Sequence, residues 1–436
     1  MRVERYDVAV VGASIGGCTA ARLFAQRGAR VALIERRPDP EAHKTVCTHY
    51  IQSSATPTIE RLGLAPLLER RGAVHNSIDL WTRHSGWIES PPRAPFGYSI
   101  TRERLDPALR GLAAETPGVD LLCGWTATAL HGAGRPGGVT VESAAGDSRR
   151  IDARLLIAAD GRGSKLARLA GVRARVKPNR RFFYWSYWSG LEPAGPRARM
   201  WFLEPDCAYT FPNEDGLTVA LVAPHESRLG EFRADREAAY MGMIRSLPDG
   251  PGLSGARRES KLLGKLELPN SIRPAAGPGL AFVGDAALAG DPFWGIGCGW
   301  AFQSAEWLVD ETAAALVGGD DLDTALARYR RLHFRRLALH HLQMCDFAGG
   351  RPATPFERLM WRAAAEDPDV LRKVEKLASR RAGPLSVLTP GNLARAVRAS
   401  RRASATGPFD SIGSPEKGGG PNLSHMLQGT LEVQGR

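Results

Sequence analysis

The segment "YDVAVVGASIGGCTAARLFAQRGARVALIERR", residues 6–37, decides the expected fold. It opens on a short apolar run, YDVAVVG, which is typical of a buried strand. A glycine-rich turn then leads into an alanine- and leucine-bearing helix pattern, and RVALIERR (30–37) repeats the strand pattern. We therefore predict a strand–helix–strand unit within about thirty residues, the compact unit that opens many α/β domains.

The turn between the first strand and the helix carries a recognisable glycine spacing. Gly12 and Gly17 occupy the first and third glycine positions of the pattern GxGxxG, and Ser14 occupies the second. In that pattern the first glycine makes the tight turn, the second position admits a pyrophosphate at the helix N-terminus, and the third lets helix and strand pack closely. Glu35 ends the second strand, where a carboxylate accepts hydrogen bonds from ribose hydroxyls and repels a 2′-phosphate. The unit therefore predicts a site for FAD or NAD rather than NADP.

Composition narrows the class of protein. The 436 residues are 43% hydrophobic, enough for two or three domains, and contain no run of 18 apolar residues, so we expect no membrane span. The six cysteines are scattered without a CxxC, and no signal-peptide pattern opens the chain, so we expect a reduced, cytoplasmic protein. The net charge of +12 comes from arginines spread along the chain, so we expect no nucleic-acid partner. His333, His340 and His341 lack a carboxylate pattern, so we expect no metal.

Later segments indicate how the chain is organised. IDARLLI (151–157) and GLAFV (279–283) read as buried strands that belong with residues 6–12 in one sheet, each followed by a glycine-bearing turn. Residues 171–270 hold aromatic and β-branched runs broken by Pro, Gly, Asn and Asp, which is typical of antiparallel strands. Residues 304–404 are mostly helical in pattern. The sequence therefore predicts an antiparallel sheet inserted into a discontinuous first domain.

Two of these turns carry further motifs, LIAADGRGSKLARLAG (156–171) and GDAALAGDPFWGIGCGWAF (284–302). With Gly12–Gly17, Asp160-Gly161 and Gly284-Asp285 in that order, residues 1–345 resemble the FAD-dependent monooxygenase superfamily of the aromatic-hydroxylase type, with its geranylgeranyl-reductase and halogenase relatives. The resemblance implies an α/β fold with a Rossmann-type FAD-binding domain (three-layer ββα), an inserted antiparallel substrate sheet and C-terminal helices. The expected boundaries are 1–75, 98–170 and 265–320 for the FAD-binding domain; 76–97 and 171–264 for the substrate domain; 321–404 for the helical region; and 405–436 for a flexible tail.

The resemblance also implies roles for single residues. Glu35 would hold the adenosine ribose, and Arg102, in ITRERLDPAL, would contact the pyrophosphate region. Asp160 belongs to a motif linked to FAD and nicotinamide binding, and Asp285 would accept hydrogen bonds from the ribityl chain. The glycine loop 295–299 would offer N–H groups to the polar edge of the flavin. The full expected cofactor set is Gly12, Ser14, Ile15, Gly16, Gly17, Glu35, Arg36, Arg102, Asp160, Gly161, Gly284, Asp285, Pro292, Gly295, Ile296 and Gly297.

The catalytic and substrate residues are less sharply indicated. The segment 43–64 occupies the place where the chain passes near the isoalloxazine in the family, so Cys47 and His49 are candidate catalytic residues together with Pro292, Gly295 and Gly297. His49 is as well explained as a packed loop residue. Strand alternation places Tyr184 and Trp188 on one face of their strand but leaves open which face meets the flavin. The expected substrate-binding residues are Tyr187, Trp201, Tyr209, Phe211, Phe293 and Trp294.

The expected activity is a monooxygenase of secondary metabolism. It would use FAD, NAD(P)H and O2, through a flavin hydroperoxide, to hydroxylate or epoxidise a large apolar or aromatic molecule. The loop departs from that type, because Leu288 stands where His is common and Gly299 where Asn is common. An FAD-dependent reductase or dehydrogenase therefore stays open, as does a flavin halogenase, although the WxWxIP signature of halogenases is missing. A flavin-binding protein without turnover is the last alternative. The chain would act as a monomer or homodimer.

Overall fold

The computed structural model describes residues 2–192 and 197–406. Its strands, numbered in chain order, are β1 (Arg2–Val11), β2 (Val31–Glu35), β3 (Tyr50–Ile51), β4 (Val74–Asn76), β5 (Ile78–Thr82), β6 (Gly86–Ile88), β7 (Gly97–Ser99), β8 (Val119–Cys123), β9 (Trp125–His131), β10 (Gly138–Ser143), β11 (Ser148–Ala158), β12 (Arg175–Lys177), β13 (Phe183–Ser189), β14 (Ala198–Phe202), β15 (Cys207–Pro212), β16 (Leu217–Ala223), β17 (Arg257–Arg258), β18 (Leu263–Lys265), β19 (Asn270–Ile272), β20 (Ala276–Gly277), β21 (Leu280–Phe282) and β22 (Leu288–Ala289).

The helices frame these strands and dominate the second half of the chain. They are α1 (Ile15–Ala25), α2 (Thr56–Arg61), α3 (Ala65–Arg70), α4 (Arg102–Ala114), α5 (Lys165–Leu169), α6 (Leu229–Ala234), α7 (Arg236–Arg245), α8 (Gly297–Gly318), α9 (Leu322–Ala348), α10 (Pro355–Glu366), α11 (Pro368–Ala378) and α12 (Pro390–Thr406). Within the described ranges, none of them combines the length and apolarity that crossing a membrane requires.

A five-stranded parallel sheet forms the centre of the nucleotide-binding part. Its order is β8-β2-β1-β11-β21, and β9 and β10 add an antiparallel extension to β11. The three strands predicted from residues 6–12, 151–157 and 279–283 lie side by side in this sheet, as β1, β11 and β21. Residues Val8–Val11 are buried, with α1 packed against β1 and β2 and with α4 and α8 packed against α1. The α/β, Rossmann-type fold predicted from the sequence is confirmed.

A second large sheet has the order β17-β13-β16-β15-β14-β5-β6, with β18 also paired to β13. Its pairs are antiparallel, as predicted, except that β14 runs parallel to β5. Both faces of this sheet are covered. One face, which includes Phe183 and Trp185, packs toward β3 and helices α10–α12, and the other, which includes Trp188 and Trp201, packs on α6 and α7.

The C-terminal helices connect the two sheets. The hydroxyl of Tyr329 on α9 donates to the carbonyl of Phe282 at the end of β21, with a distance of 2.8 Å. Further along, Phe347, Met360 and Trp361 join the core beneath the second sheet. Residues 407–436, nearly all of the predicted tail, lie outside the described residues, and the expected domain boundaries remain a prediction.

Candidate cofactor and active site

The turn between β1 and α1 has the close backbone approaches that its glycines predict. Gly12 adopts φ +106°, and a Cβ there would lie 2.5 Å from the carbonyl oxygen of Ala159. A Cβ on Gly17 would lie 1.8 Å from the carbonyl oxygen of Gly12, so no larger residue fits. The turn therefore brings the N-terminus of α1 directly against the ends of β1 and β11.

Glu35 braces this turn from the neighbouring strand. Its Oε2 accepts the N–H of Ala13 at 2.9 Å, and its Oε1 accepts the N–H of Arg37 at 3.1 Å. The side chain is buried, yet it also lines the cavity described below. A carboxylate in this position retains lone pairs for ribose hydroxyls, since each oxygen accepts more than one hydrogen bond.

Arg102, the first residue of α4, is a buried cation at the same turn. Its guanidinium donates to Asp106 Oδ1 from Nε (2.9 Å) and Nη2 (2.6 Å), and Nη2 also donates to Ser14 Oγ at 2.6 Å. The Arg102 and Asp106 side chains are 3% and 0% exposed, so the pair is desolvated. The serine that replaces the second glycine of the pattern thus links the turn to this ion pair.

A cavity of about 610 Å³ extends from this turn to the second sheet. Its volume lies in the range of small-molecule and cofactor sites. Of the residues expected to bind cofactor, Gly17 lies behind the wall and all the others line the cavity: Gly12, Ser14, Ile15, Gly16, Glu35, Arg36, Arg102, Asp160, Gly161, Gly284, Asp285, Pro292, Gly295, Ile296 and Gly297. Four motifs that are far apart in sequence therefore meet at one space.

Basic side chains outnumber acidic ones around this cavity. Its basic lining residues are Arg36, Arg37, Lys44, Arg102, Arg162, Lys165, Arg168 and Lys265, and its acidic ones are Glu35, Asp160, Asp285 and Asp291. Lys44 Nζ lies 3.3 Å from Asp285 Oδ2. Burial favours the neutral form of Asp285, but the Lys44 ammonium, together with the Arg162 and Arg102 guanidiniums, outweighs burial and holds the pKa of that carboxyl below its usual value. Asp285 is therefore an ionised acceptor at neutral pH.

The glycine loop ends at the N-terminus of α8. Gly295 adopts φ +61°, and its N–H donates to the carbonyl of Pro292 at 2.9 Å. The expected donors to a flavin edge are therefore those in the first turn of α8, at Gly297 and Cys298, rather than that of Gly295. No side chain caps this helix, and its first turn holds no acidic residue. Its positive end is thus available to an anionic or electron-rich group.

These features fit a dinucleotide cofactor. The N-termini of α1 and α8 both face the cavity without acidic residues in their first turns. Basic side chains surround the space, as a pyrophosphate requires. Asp160 adds a buried Oδ1 with no hydrogen-bond partner among the described residues, although its Oδ2 accepts the N–H of Leu166 at 3.0 Å. The pyrophosphate of FAD would be neutralised by these basic side chains. A hydroxyl of FAD would donate a hydrogen bond to Asp160 Oδ1.

The two other candidate catalytic residues differ in position. Cys47 lines the cavity, whereas His49 lies behind it and is 3% exposed. His49 Nδ1 accepts the backbone N–H of Arg102 at 2.9 Å, so the ring proton sits on Nε2, which faces the hydroxyl of Tyr187. Burial lowers the pKa of His49, so the ring is neutral. In this structure His49 positions the start of α4.

The aromatic residues expected to bind substrate form a layer behind the cavity wall. Phe211 stacks on Tyr50, with ring centroids 5.3 Å apart, and Tyr50 lines the cavity. Tyr209 stacks on Phe211, and Tyr187 contacts His49. Trp294 accepts Gln52 Nε2 at its carbonyl, 2.6 Å away. The side chain of Phe293 lies outside the described residues.

Trp201 lies on the opposite face of the second sheet. Its Nε1 donates to the carbonyl of Pro248 at 2.8 Å, and its ring meets Trp87 edge to face. It belongs to the core that packs on α6 and α7, because neighbours along a strand alternate between faces. Trp201, expected to bind substrate, therefore lies away from the cavity.

Sequence reasoning missed the residues that do form the apolar wall. Phe183, Trp185, Leu221 and Leu268 line the cavity. Trp185 is 4% exposed, and its Nε1 has no hydrogen-bond partner among the described residues. The alternation signal could have grouped Phe183 with Trp185, but nothing in the sequence says which face of their strand meets the cofactor.

Comparison with known proteins agrees with this site. Residues 5–234, just over half of the chain, match the FAD binding domain family. Three relatives carry different activities in their names. Tryptophan 2-halogenase of Chondromyces crocatus is 27% identical (76% of this chain, 66% of the relative). Digeranylgeranylglycerophospholipid reductase of Thermoplasma acidophilum is 24% identical (78% and 86%). Kynurenine 3-monooxygenase of Salinispora arenicola is 28% identical (76% and 76%).

Solved structures share the fold. A flavin-dependent brominase superposes with a TM-score of 0.74 at 16% identity, over 92% of this chain and 100% of that chain. A probable FAD-dependent monooxygenase from Pseudomonas aeruginosa superposes with a TM-score of 0.64 at 18% identity, over 85% and 99%. The chain belongs to the FAD binding domain family, within the flavoprotein monooxygenase superfamily that its motifs resemble, and is an FAD-dependent oxidoreductase.

Proposed function

We propose that this oxidoreductase is a monooxygenase that uses NAD(P)H and O2 to hydroxylate or epoxidise a large apolar or aromatic molecule. The observation that carries the proposal is the continuity of the cavity. It runs from the nucleotide-binding turn, past the N-terminus of α8, to the apolar wall of Phe183, Trp185 and Leu221. Such a wall excludes water from the reacting centre, as flavin-dependent oxygen insertion requires.

FAD supplies the redox chemistry, and the chain's residues bind, orient and neutralise. Glu35 would hold the ribose of the adenosine, and Arg102 the pyrophosphate. Asp285 would accept hydrogen bonds from the ribityl chain. The N–H groups in the first turn of α8 would stabilise negative charge that develops at the polar edge of the flavin ring.

Substrate would lie against the sheet face that carries Phe183 and Trp185. Those side chains provide flat apolar contact, and Trp185 Nε1 is a hydrogen-bond donor without an acceptor among residues 2–192 and 197–406. A buried indole N–H usually has a partner. We therefore propose an aromatic substrate with a hydrogen-bond acceptor, such as a carbonyl or phenolic oxygen, placed to meet that donor.

A reductase of C=C or C–C bonds is the second candidate. Leu288, which lines the cavity where aromatic hydroxylases often carry histidine, favours it, as does the 24% identity to a digeranylgeranylglycerophospholipid reductase. His49, the one histidine predicted for catalysis, is turned into a hydrogen-bonded position behind the wall.

Oxygen reactivity separates the two candidates. The purified, FAD-loaded protein is reduced anaerobically, mixed with O2 and followed by stopped-flow absorbance. A monooxygenase should give a transient near-ultraviolet absorbance before the oxidised flavin spectrum returns, and its NADH or NADPH oxidation should consume O2. Direct return of the spectrum, with NAD(P)H oxidised at the same rate under nitrogen when an alkene acceptor is present, would reject the monooxygenase in favour of the reductase.

The proposal also covers the compartment, the nicotinamide nucleotide and the oligomeric state. A cytoplasmic location is supported by the six cysteines, none of which is in a disulfide. Comparing NADH with NADPH in the same assay identifies the reductant. Light scattering of the FAD-loaded protein distinguishes a monomer from a homodimer.

A further inference from the structure

Two cysteines meet in the cavity wall although they are distant in sequence. Cys47, in the segment before β3, lies with its Sγ 3.7 Å from the Sγ of Cys298, in the first turn of α8. Both residues line the cavity. Cys345, by contrast, lies beside His341, with its Sγ 3.7 Å from both ring nitrogens.

Positive groups surround this Cys47–Cys298 pair. Arg102 Nη1 lies 3.8 Å from Cys47 Sγ and 4.0 Å from Cys298 Sγ. The backbone N–H of His49 donates to Cys47 Sγ at 3.3 Å, and the positive end of α8 lies at Cys298. The Cys298 thiol and the Arg102 guanidinium hold the pKa of Cys47 well below that of an ordinary thiol, and the same contact raises the pKa of Cys298.

This arrangement is that of a nucleophilic thiolate beside a second thiol that can resolve it. Thiolate character and access to solvent determine which cysteines react with peroxides, and a neighbouring thiol converts the sulfenic acid to a disulfide. Cys47 is partly exposed to the cavity, whereas Cys298 is 7% exposed, so the two roles fall to Cys47 and Cys298 in that order.

We propose that Cys47 and Cys298 form a reversible redox pair that closes to a disulfide in the wall of the cofactor cavity. With hydrogen peroxide as oxidant, the Cys47 thiolate attacks one peroxide oxygen, the O–O bond breaks, and the released hydroxide takes a proton to become water. Cys298 sulfur then attacks the Cys47 sulfenic acid, and the S–O bond breaks with loss of a second water. The two thiols lose two electrons and two protons in total, and one peroxide is reduced to two waters.

The disulfide would join two walls of the site that are otherwise held by non-covalent contacts. One wall is the segment with Lys44 and Cys47, and the other is the loop that ends at α8. Closing it tethers the first turn of α8, whose N–H groups would face the cofactor. The proposal concerns oxidation of the protein itself, so it does not depend on which reaction the flavin performs.

The test follows the sulfur atoms directly. The purified, FAD-loaded full chain is treated with a small excess of hydrogen peroxide, free thiols are alkylated under denaturing conditions, and the digest is analysed by mass spectrometry with and without dithiothreitol. We expect a cross-linked peptide joining residues 47 and 298, with the loss of two hydrogens and of two free thiols out of six, both regained on reduction.

Variants assign the two roles. In Cys298→Ser the resolving thiol is gone, so dimedone should trap a Cys47 sulfenic acid that it does not trap in the wild type. Cys345→Ser, which removes a buried cysteine from outside the pair, should keep the cross-link. Three results would each overturn the proposal. Cys47 and Cys298 could both remain open to alkylation after oxidation of the wild type, or either could be cross-linked to another cysteine. The third is equal dimedone labelling of Cys47 with and without Cys298.

Discussion

Breaking the buried ion pair of Arg102 and Asp106 should cost the protein much more than losing an exposed pair. In Arg102→Met the guanidinium disappears, and the Asp106 carboxylate, with none of its side chain exposed, is left in a desolvated position. Removing one partner of such a pair destabilises proteins by about 3–5 kcal/mol, whereas exposed pairs contribute about 0–1 kcal/mol. Among the donors in the described part of the chain, Asp106 then retains the N–H of Lys44, at 3.0 Å. We therefore expect a loss of about 3–5 kcal/mol in the free energy of unfolding.

A double variant separates the charge from the packing. In Arg102→Met with Asp106→Asn, the amide keeps the shape of the aspartate and can still accept the N–H of Lys44, but no buried charge remains. The double variant should recover about 0.5–3 kcal/mol of the loss, the usual coupling of contacting residues. Urea denaturation, followed by tryptophan fluorescence and circular dichroism, measures the free energy of unfolding of each variant. Measuring both apoprotein and FAD-saturated protein separates this cost from any loss of stabilisation by bound FAD. A single-variant cost below about 1 kcal/mol, or a double variant no more stable than the single, would refute the reasoning.

Three further outcomes follow from the site and its core. Asp285→Ala should lose FAD during purification, as read from the visible spectrum, because the ionised acceptor expected for the ribityl chain is gone; full retention of FAD would contradict that role. Gly295→Ala should destabilise more than Gly28→Ala: both carry a positive φ, with a cost of about 1–2 kcal/mol, but only at Gly295 would the new Cβ meet a ring, 2.6 Å from Tyr50. Burial lowers the pKa of His333 to about 4, against about 6.5 when unfolded, so stability should fall by about 3 kcal/mol as pH drops from 6.5 to 4. In His333→Phe the urea midpoint should depend less on pH in that window, and an unchanged slope would remove His333 as its cause.

The nucleotide-binding half could be predicted because its requirements are local. Gly12 and Gly17 are needed where the backbone itself makes contacts too close for a Cβ. Such positions can be recognised in a single sequence as glycines at a fixed spacing. Glu35 follows from the length of the strand–helix–strand unit. The role of Arg102 could be predicted only through the family resemblance, because no local pattern indicates that its side chain contacts Ser14, 88 residues away.

The substrate side could not be predicted to the same depth, because both faces of its sheet are buried. A sheet with one wet face shows which residues point inward, whereas here Trp185 and Trp201 both lie in apolar surroundings on opposite sides. The contact between Cys47 and Cys298 could not be predicted from the sequence for a related reason. It is made by tertiary packing alone, between residues 251 positions apart, and neither position carries a spacing signal.

The parallel pair of β5 and β14 has a consequence for how the chain is made. Ile78 lies opposite Ala198, so β5 leaves the ribosome about 120 residues before its neighbour exists. At ~5–20 residues per second, that interval lasts about 6–24 s. Of its two pairings within the described residues, β5 then has just the short hairpin with β6, and an isolated hairpin is marginal in water. Synthesis paused between these strands would therefore leave an edge of β5 unpaired, and an unpaired strand edge is a template for pairing with another chain.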